Sequence, residues 1–346
     1  MKNILFFALV VSFFLFESCG DDTVVKAQYR DGIIVVNQGA FLSGTGSLTY
    51  KERNVDSIPV NNIFSNNNDG IFLGNVAQSM IEHDDKNFIS INNGGKVVVT
   101  NKNDFTLIDT ISNINLGRYF ASNGDKLYLS AWGASGSDGG VFEIDAKNNV
   151  ISSYTELGNG PEGLLFVDDL LYIAKGGGFG LDSLVLIMDT DDNSIINSLI
   201  VGDNPELMVK DNDDNVYVIC SGYTDWNNPD NNSQGKLVKI SNQEIVWSIS
   251  IPNGSNRLAI DAENDFIYFN ANGSVVKHDL NSVELNTTVI KDVVGYALAF
   301  DEEDKRLYIG DAKDYSSQGE VYVFSTDDEE VESFSCGVIP SYFHFQ

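Results

Sequence analysis

Pro205-Glu206-Leu207-Met208-Val209-Lys210, then Asp211-Asn212-Asp213-Asp214-Asn215, then Val216-Tyr217-Val218-Ile219-Cys220 reads as two short strands joined by an acidic turn. Apolar and aromatic residues suit a pleated surface, whereas Asp and Asn stabilise turns by hydrogen-bonding to their own backbone. The apolar–aromatic–apolar core of the second strand recurs. It appears as Leu127-Tyr128-Leu129, Leu171-Tyr172-Ile173, Ile267-Tyr268-Phe269 and Leu307-Tyr308-Ile309, and with a polar first residue as Asn87-Phe88-Ile89. The aromatic falls at positions 88, 128, 172, 217, 268 and 308, at intervals of 40 to 51 residues. Ile33-Ile34-Val35-Val36 fills the same slot near the N-terminus without an aromatic, which makes seven copies.

Two further markers keep step with this one. A Gly precedes the next strand at Gly46, Gly95, Gly140, Gly235, Gly273 and Gly319; the fourth copy has Asp182-Ser183 instead. A turn-like start lies about ten residues before each aromatic strand: Ala77-Gln78-Ser79, Gly117-Arg118-Tyr119, Pro161-Glu162-Gly163, Pro205-Glu206-Leu207, Asn256-Arg257-Leu258 and Gly295-Tyr296-Ala297, with a seventh at Pro340-Ser341-Tyr342. Each unit therefore holds four strands in about 45 residues, the size of a β-propeller blade. A β-solenoid has shorter repeats, and a sandwich would align three markers only by chance. The expected fold is all-β, a seven-bladed β-propeller over residues 31–346. The first unit lacks its inner strand and the C-terminus has one to spare. Residues near 338–345 should therefore pair with the strand near 32–38 and close the ring, hiding the edges.

With strands A to D running outward from the axis, alternating direction puts the D-to-A and B-to-C loops on one face. The other face reads as short acidic turns such as Asp84-Asp85, Asp168-Asp169 and Asp301-Glu302-Glu303-Asp304. The first face carries the bulky residues. Gln38 and Phe41, Asn92, Trp132, Phe179, Tyr223 and Trp226, and Tyr315 lie in its B-to-C loops. Gln78, Arg118, Tyr119, Glu162, Glu206, Arg257, Tyr296 and Tyr342 stand at the starts of the inner strands, around the mouth of the axis. An aromatic rim over a polar, mixed-charge centre suits a large polar ligand with apolar parts. These sixteen residues are the candidate ligand-binding set.

Composition excludes several classes. The chain has 346 residues, 21 Lys+Arg against 50 Asp+Glu and a net charge of -29, the reverse of what phosphate backbones attract, so no nucleic-acid partner is expected. The three His show no zinc spacing, and no metal site or cofactor is expected. Asp211-x-Asp213-x-Asn215 lacks the Gly and Glu of a calcium loop and reads as a turn. Gly176-Gly177-Gly178-Phe179-Gly180 has no βαβ unit around it. Glu162 and Glu206 stand at equivalent places in adjacent units and could form a carboxylate pair as in glycosidases. The simpler expectation for them is hydrogen bonding to strand backbone or to Arg118 and Arg257. Cys220 and Cys336 are too few for a disulfide framework and are expected as unpaired core thiols.

Lys2 followed by the apolar run Ile4–Phe16 is too short to span a bilayer and reads as a signal peptide over residues 1–18. Phe16-Glu17-Ser18-Cys19 resembles a bacterial lipobox, with Phe16 where an aliphatic residue is usual. Cys19 would carry the lipid, residues 19–30 the tether, and the lipid would be the sole membrane attachment. Cys19-Gly20-Asp21-Asp22 resembles the acidic start of Bacteroidetes lipoproteins exported to the outer face of the outer membrane.

Val35-Val36-Asn37-Gln38-Gly39, Asn75-Val76-Ala77-Gln78-Ser79-Met80, Ile91-Asn92-Asn93-Gly94-Gly95-Lys96-Val97, Trp132-Gly133, Gly158-Asn159-Gly160-Pro161-Glu162-Gly163 and Val201-Gly202-Asp203-Asn204-Pro205 together resemble the YncE-like seven-bladed propeller lipoproteins of Bacteroidetes. That resemblance implies a surface lipoprotein, not an enzyme, that binds a corrinoid such as vitamin B12 or a ferric siderophore. It further implies hand-over of the ligand to a TonB-dependent outer-membrane transporter. A scaffold for surface glycans or proteins is the alternative, followed by a lactonase- or lyase-like propeller.

Overall fold

The computed structural model describes residues 27–53 and 56–346. The signal peptide and Cys19 lie outside the described residues. Seven four-stranded antiparallel sheets succeed one another along the chain. Their inner strands are Ala77–His83, Gly117–Ser122, Gly160–Val167, Pro205–Lys210, Leu258–Asp261 and Ala297–Asp301 in blades 2 to 7. The inner strand of blade 1 is Pro340–Phe345, from the C-terminus. It pairs with Gly32–Asn37 through Ile33 opposite Phe345, Val35 opposite Phe343 and Val36 opposite Tyr342. The ring closes as the repeat pattern requires.

The aromatics of the second strands hold the blades to one another. Tyr128, Tyr217, Tyr268 and Tyr308 are among the largest fully buried side chains. Each packs into a layer shared by two sheets: Tyr128 with Leu164 and Phe166 of the next blade, Tyr217 with Leu258 and Ile267, Tyr308 with Val35 and Phe343 across the closure. Burying each such side chain contributes roughly 1.5–3 kcal/mol. Cys220 and Cys336 are free and buried in these layers.

Blade 1 departs from the regular repeat. Its outer strand is only Val60–Asn61, and a short helix, Ile63–Asn67, follows. Ile63 and Phe64 fill the layer between blades 1 and 2 beside Met80 and Phe105. Tyr29, expected in the tether, is already packed there, 5.2 Å from the Tyr50 ring. The Gly before each third strand is needed mainly for close approach. A Cβ on Gly140 would lie 2.3 Å from the Thr155 carbonyl oxygen, and one on Gly319 would lie 2.6 Å from Pro340. Only Gly95 and Gly273 of the six use a positive φ. Among the described residues no helix is long and apolar enough to cross a membrane.

Candidate functional site

One backbone device positions the mouth of the axis. In blades 2 to 5 the inner strand slips register against its neighbour between Ala77 and Ser79, Gly117 and Phe120, Pro161 and Leu164, and Pro205 and Met208. Each slip is a one-residue bulge, which leaves ladder partners unpaired and re-aims side chains. The residues inside the bulges are Gln78, Arg118 with Tyr119, Glu162 with Gly163, and Glu206 with Leu207. Hydroxyls and amides satisfy carbonyls that the ladder leaves free. Ser79 Oγ donates to the Arg118 carbonyl at 2.5 Å, Ser130 Oγ to that of Glu162 at 2.5 Å, and Ser341 Oγ bonds the carbonyls of Ala77 and Gln78. Asn92, expected to face a ligand, is buried and donates its amide to the Gly117 carbonyl at 3.0 Å.

Arg118 and Glu162 form the centre of one half of the mouth. The guanidinium donates to both Glu162 carboxylate oxygens, through Nε at 2.9 and 3.1 Å and Nη2 at 2.5 Å. Its Nη1 donates to Gln78 Oε1 at 3.1 Å, and Gln78 Nε2 donates to the Tyr119 hydroxyl at 3.3 Å. Trp132 Nε1 donates to Glu162 Oε2 at 2.7 Å, and its ring lies 4.2 Å from the Arg118 guanidinium. Burial by itself would lower the pKa of Arg118, but the charge and hydrogen bonds of Glu162 outweigh it and raise it. This is a bidentate, charge-assisted pair stacked on an aromatic. Phe179 packs edge-on against Trp132 at 5.5 Å, and the buried Lys175–Asp182 ion pair, 2.9 Å, braces the loop that carries it.

The other half is open. Glu206 makes one long hydrogen bond, from Ser221 Oγ at 3.3 Å. Burial and the like charge of Glu162 push its pKa up to about 7, against a partial offset from Arg257 and Arg118. Arg257 turns away from Glu206. Its Nε donates to the Tyr296 carbonyl at 2.6 Å and its Nη1 to the Asn256 carbonyl at 2.8 Å. The Tyr296 hydroxyl donates to Gln38 Oε1 at 3.1 Å, and its ring packs edge-on against Tyr315 at 5.8 Å.

Between the halves lies a polar pocket of about 220 Å³, bounded by Arg118, Trp132, Glu162, Glu206 and Arg257 and by Asn204 and Asn256. Sequence reasoning missed the two Asn residues. Asn204 Oδ1 is buried without a partner among the described residues, and its only sequence signal was its place before Pro205. The structure brings Gln78, Arg118, Tyr119, Trp132, Glu162 and Phe179 into one contact network and Gln38, Arg257, Tyr296 and Tyr315 into another. Tyr342 lies 6.3 Å from Tyr119, below the polar layer. Phe41 and Trp226 stand far out on the rim, 73% and 89% exposed, and Tyr223 is half-buried at the base of the Trp226 loop.

Below Tyr119 and Tyr342 the axis widens again, into a chamber of about 430 Å³ that the sequence did not reveal. Leu207, Val209, Ile260, Leu298, Phe300 and Phe345 line it, with Arg257 at its inner end and Lys210 and Glu302 among its boundary residues.

Sheets and closure together define a seven-bladed β-propeller with two chambers on its axis. Within that class, the chain belongs to the DUF5074 family, described as a domain of unknown function, whose model matches residues 31–335. Among solved structures it is similar to a quinonprotein alcohol dehydrogenase-like protein of Bacteroides thetaiotaomicron, at 13% identity and TM-score 0.67, over 92% of this chain and 79% of that one. Proteins named as candidate 6-phosphogluconolactonases give the same TM-score of 0.67 at 11% identity. The one from Bacteroides uniformis matches 92% of this chain and the one from Bacteroides fragilis 94%, each over 100% of its own length. At these identities the likeness is one of fold. No curated protein matches the sequence.

Proposed function

We propose that this propeller is a capture protein, held at the outer membrane by a lipid on Cys19, that binds a large polar nutrient without transforming it and passes it to a TonB-dependent transporter. A corrinoid or a ferric siderophore is the ligand class. The observation that carries this reading is the pairing of a mouth whose one half is braced by Arg118, Glu162 and Trp132 and whose other half is open at Glu206 with exposed rim aromatics on the same face. The 220 Å³ pocket is too small to enclose such a ligand. The ligand would lie across the mouth, with a polar edge on Glu206 and Arg257 and its apolar faces against Phe179, Trp226, Phe41 and Tyr315. Pre-organisation limits the entropy lost on binding. Titration of the protein with cyanocobalamin and with ferric catecholate siderophores tests the reading; absence of heat or spectral change with all of them overturns it.

One observation favours a second reading, an acid–base enzyme. Glu206, with a pKa raised to about 7, is poised for proton transfer near neutrality. Turnover of 6-phosphogluconolactone that disappears in Glu206→Gln would support it. Glu162 is a poor second catalytic carboxylate, because Arg118 and Trp132 occupy both its oxygens.

A further inference from the structure

The chamber beneath the mouth has a chemistry that the capture reading does not use. Its lining comes mainly from the inner strands of blades 5 to 7 and from the closing strand, with Tyr119, Phe120, Gly163 and Leu164 from blades 3 and 4. Leu207, Val209, Ile260, Leu298, Phe300 and Phe345 are all only half-buried there, although each is large and apolar. Apolar side chains left part-exposed on the axis forgo the burial that an apolar occupant would give them. The volume of 430 Å³ falls within the range of small-molecule sites, roughly 300–1,000 Å³.

The inner end of the chamber is polar. Arg257 spends two donors on backbone carbonyls and, among the described residues, has no carboxylate within ion-pair distance. In this it differs from Arg118, which Glu162 neutralises. At the other end the charges are already paired, Lys210 with Asp214 and Glu302 with Lys305. Among the described residues, the charge bordering the chamber that has no ion-pair contact is thus the guanidinium at its inner end, which Glu206 senses only at longer range.

We infer that the axial chamber is a second binding site, for an apolar monocarboxylate whose carboxylate meets Arg257 and whose hydrocarbon or aryl body lies along Leu207, Val209, Ile260, Leu298, Phe300 and Phe345. The site goes beyond the capture reading and shares Arg257 and Tyr119 with the polar mouth.

The test uses the full chain and three probes: decanoate, decan-1-ol, and the uncharged dye N-phenyl-1-naphthylamine. Decanoate should bind one per chain by calorimetry and displace the dye. Arg257→Gln should weaken decanoate at least tenfold while leaving decanol unchanged. Val209→Trp, which fills the chamber, should abolish dye and decanoate binding together. Cyanocobalamin titration of Val209→Trp reports the mouth separately, so loss of one site is told apart from loss of the other. The inference is overturned if decanoate neither binds nor displaces the dye, if Arg257→Gln binds it as well as the parent, or if a folded Val209→Trp retains it. Should Val209→Trp not fold, the Arg257→Gln comparison of acid with alcohol decides alone.

Discussion

Glu162 and Glu206 stand at the same step of successive repeats, each preceded by Pro and each inside the bulge of an inner strand. Their fates are opposite. Glu162 is 1% exposed and receives Arg118 and Trp132. Glu206 faces the pocket with one long hydrogen bond and a pKa near neutrality. The backbone device is shared, so the difference lies in the preceding blade: Glu162 follows an Arg, and Glu206 follows another Glu. One half of the mouth is therefore structural and the other available.

The largest expected contrast is in stability. Glu162→Ala leaves Arg118 buried without its counter-charge and should cost about 3–5 kcal/mol in denaturant unfolding. Glu206→Ala, which relieves a like-charge contact, should destabilise the protein by no more than about 1 kcal/mol. Equal costs would erase the distinction between the halves.

Next comes pH. The raised pKa of Glu206 means that the folded chain holds a proton the unfolded chain has already released. Its contribution therefore lowers stability as pH rises from about 4.5 to about 7, and is constant above. Glu206→Gln should remove that decline, making the variant more stable than the parent at pH 8 by roughly 1–3 kcal/mol and no different from it at pH 4. Parallel curves across this range would mean that Glu206 ionises normally.

The smallest effects separate the two Trp residues. Trp132→Phe loses a hydrogen bond to a charged group and should cost roughly 1.5 kcal/mol or more. Trp226→Ala should stay within about 0.5 kcal/mol, since its ring is almost wholly in solvent, while weakening ligand binding. A stability loss on removing Trp226 would place it in the fold rather than on the rim.

The ring was legible because blade packing repeats one requirement seven times: an aromatic such as Tyr217 between sheets, a turn before it, a close-packed position after it. The mouth was legible in part. Arg118, Glu162, Glu206 and Arg257 announced themselves as charged residues at the starts of inner strands. That Arg118 would choose Glu162, and Arg257 the backbone of blade 7, depends on bulge geometry and left no periodic trace. Ser79, Ser130 and Ser341, which hold the bulged carbonyls, looked like ordinary strand serines. The lower chamber was hidden for the opposite reason. Leu207, Ile260 and Leu298 match core residues in sequence, and only their position along the axis leaves them half-open.

Closure of blade 1 by Pro340–Phe345 has a consequence for the order in which this chain can take shape. Synthesis proceeds from the N-terminus, so Gly32–Asn37 emerges some 300 residues before its partner. Until Pro340–Phe345 is released, Ile34 and Val36 have no strand partner on that side, and the ring stays open however many blades have condensed. Locking is thereby tied to Pro340–Phe345: a chain that stops short of it carries a bare edge on Gly32–Asn37, and only one that includes it can close.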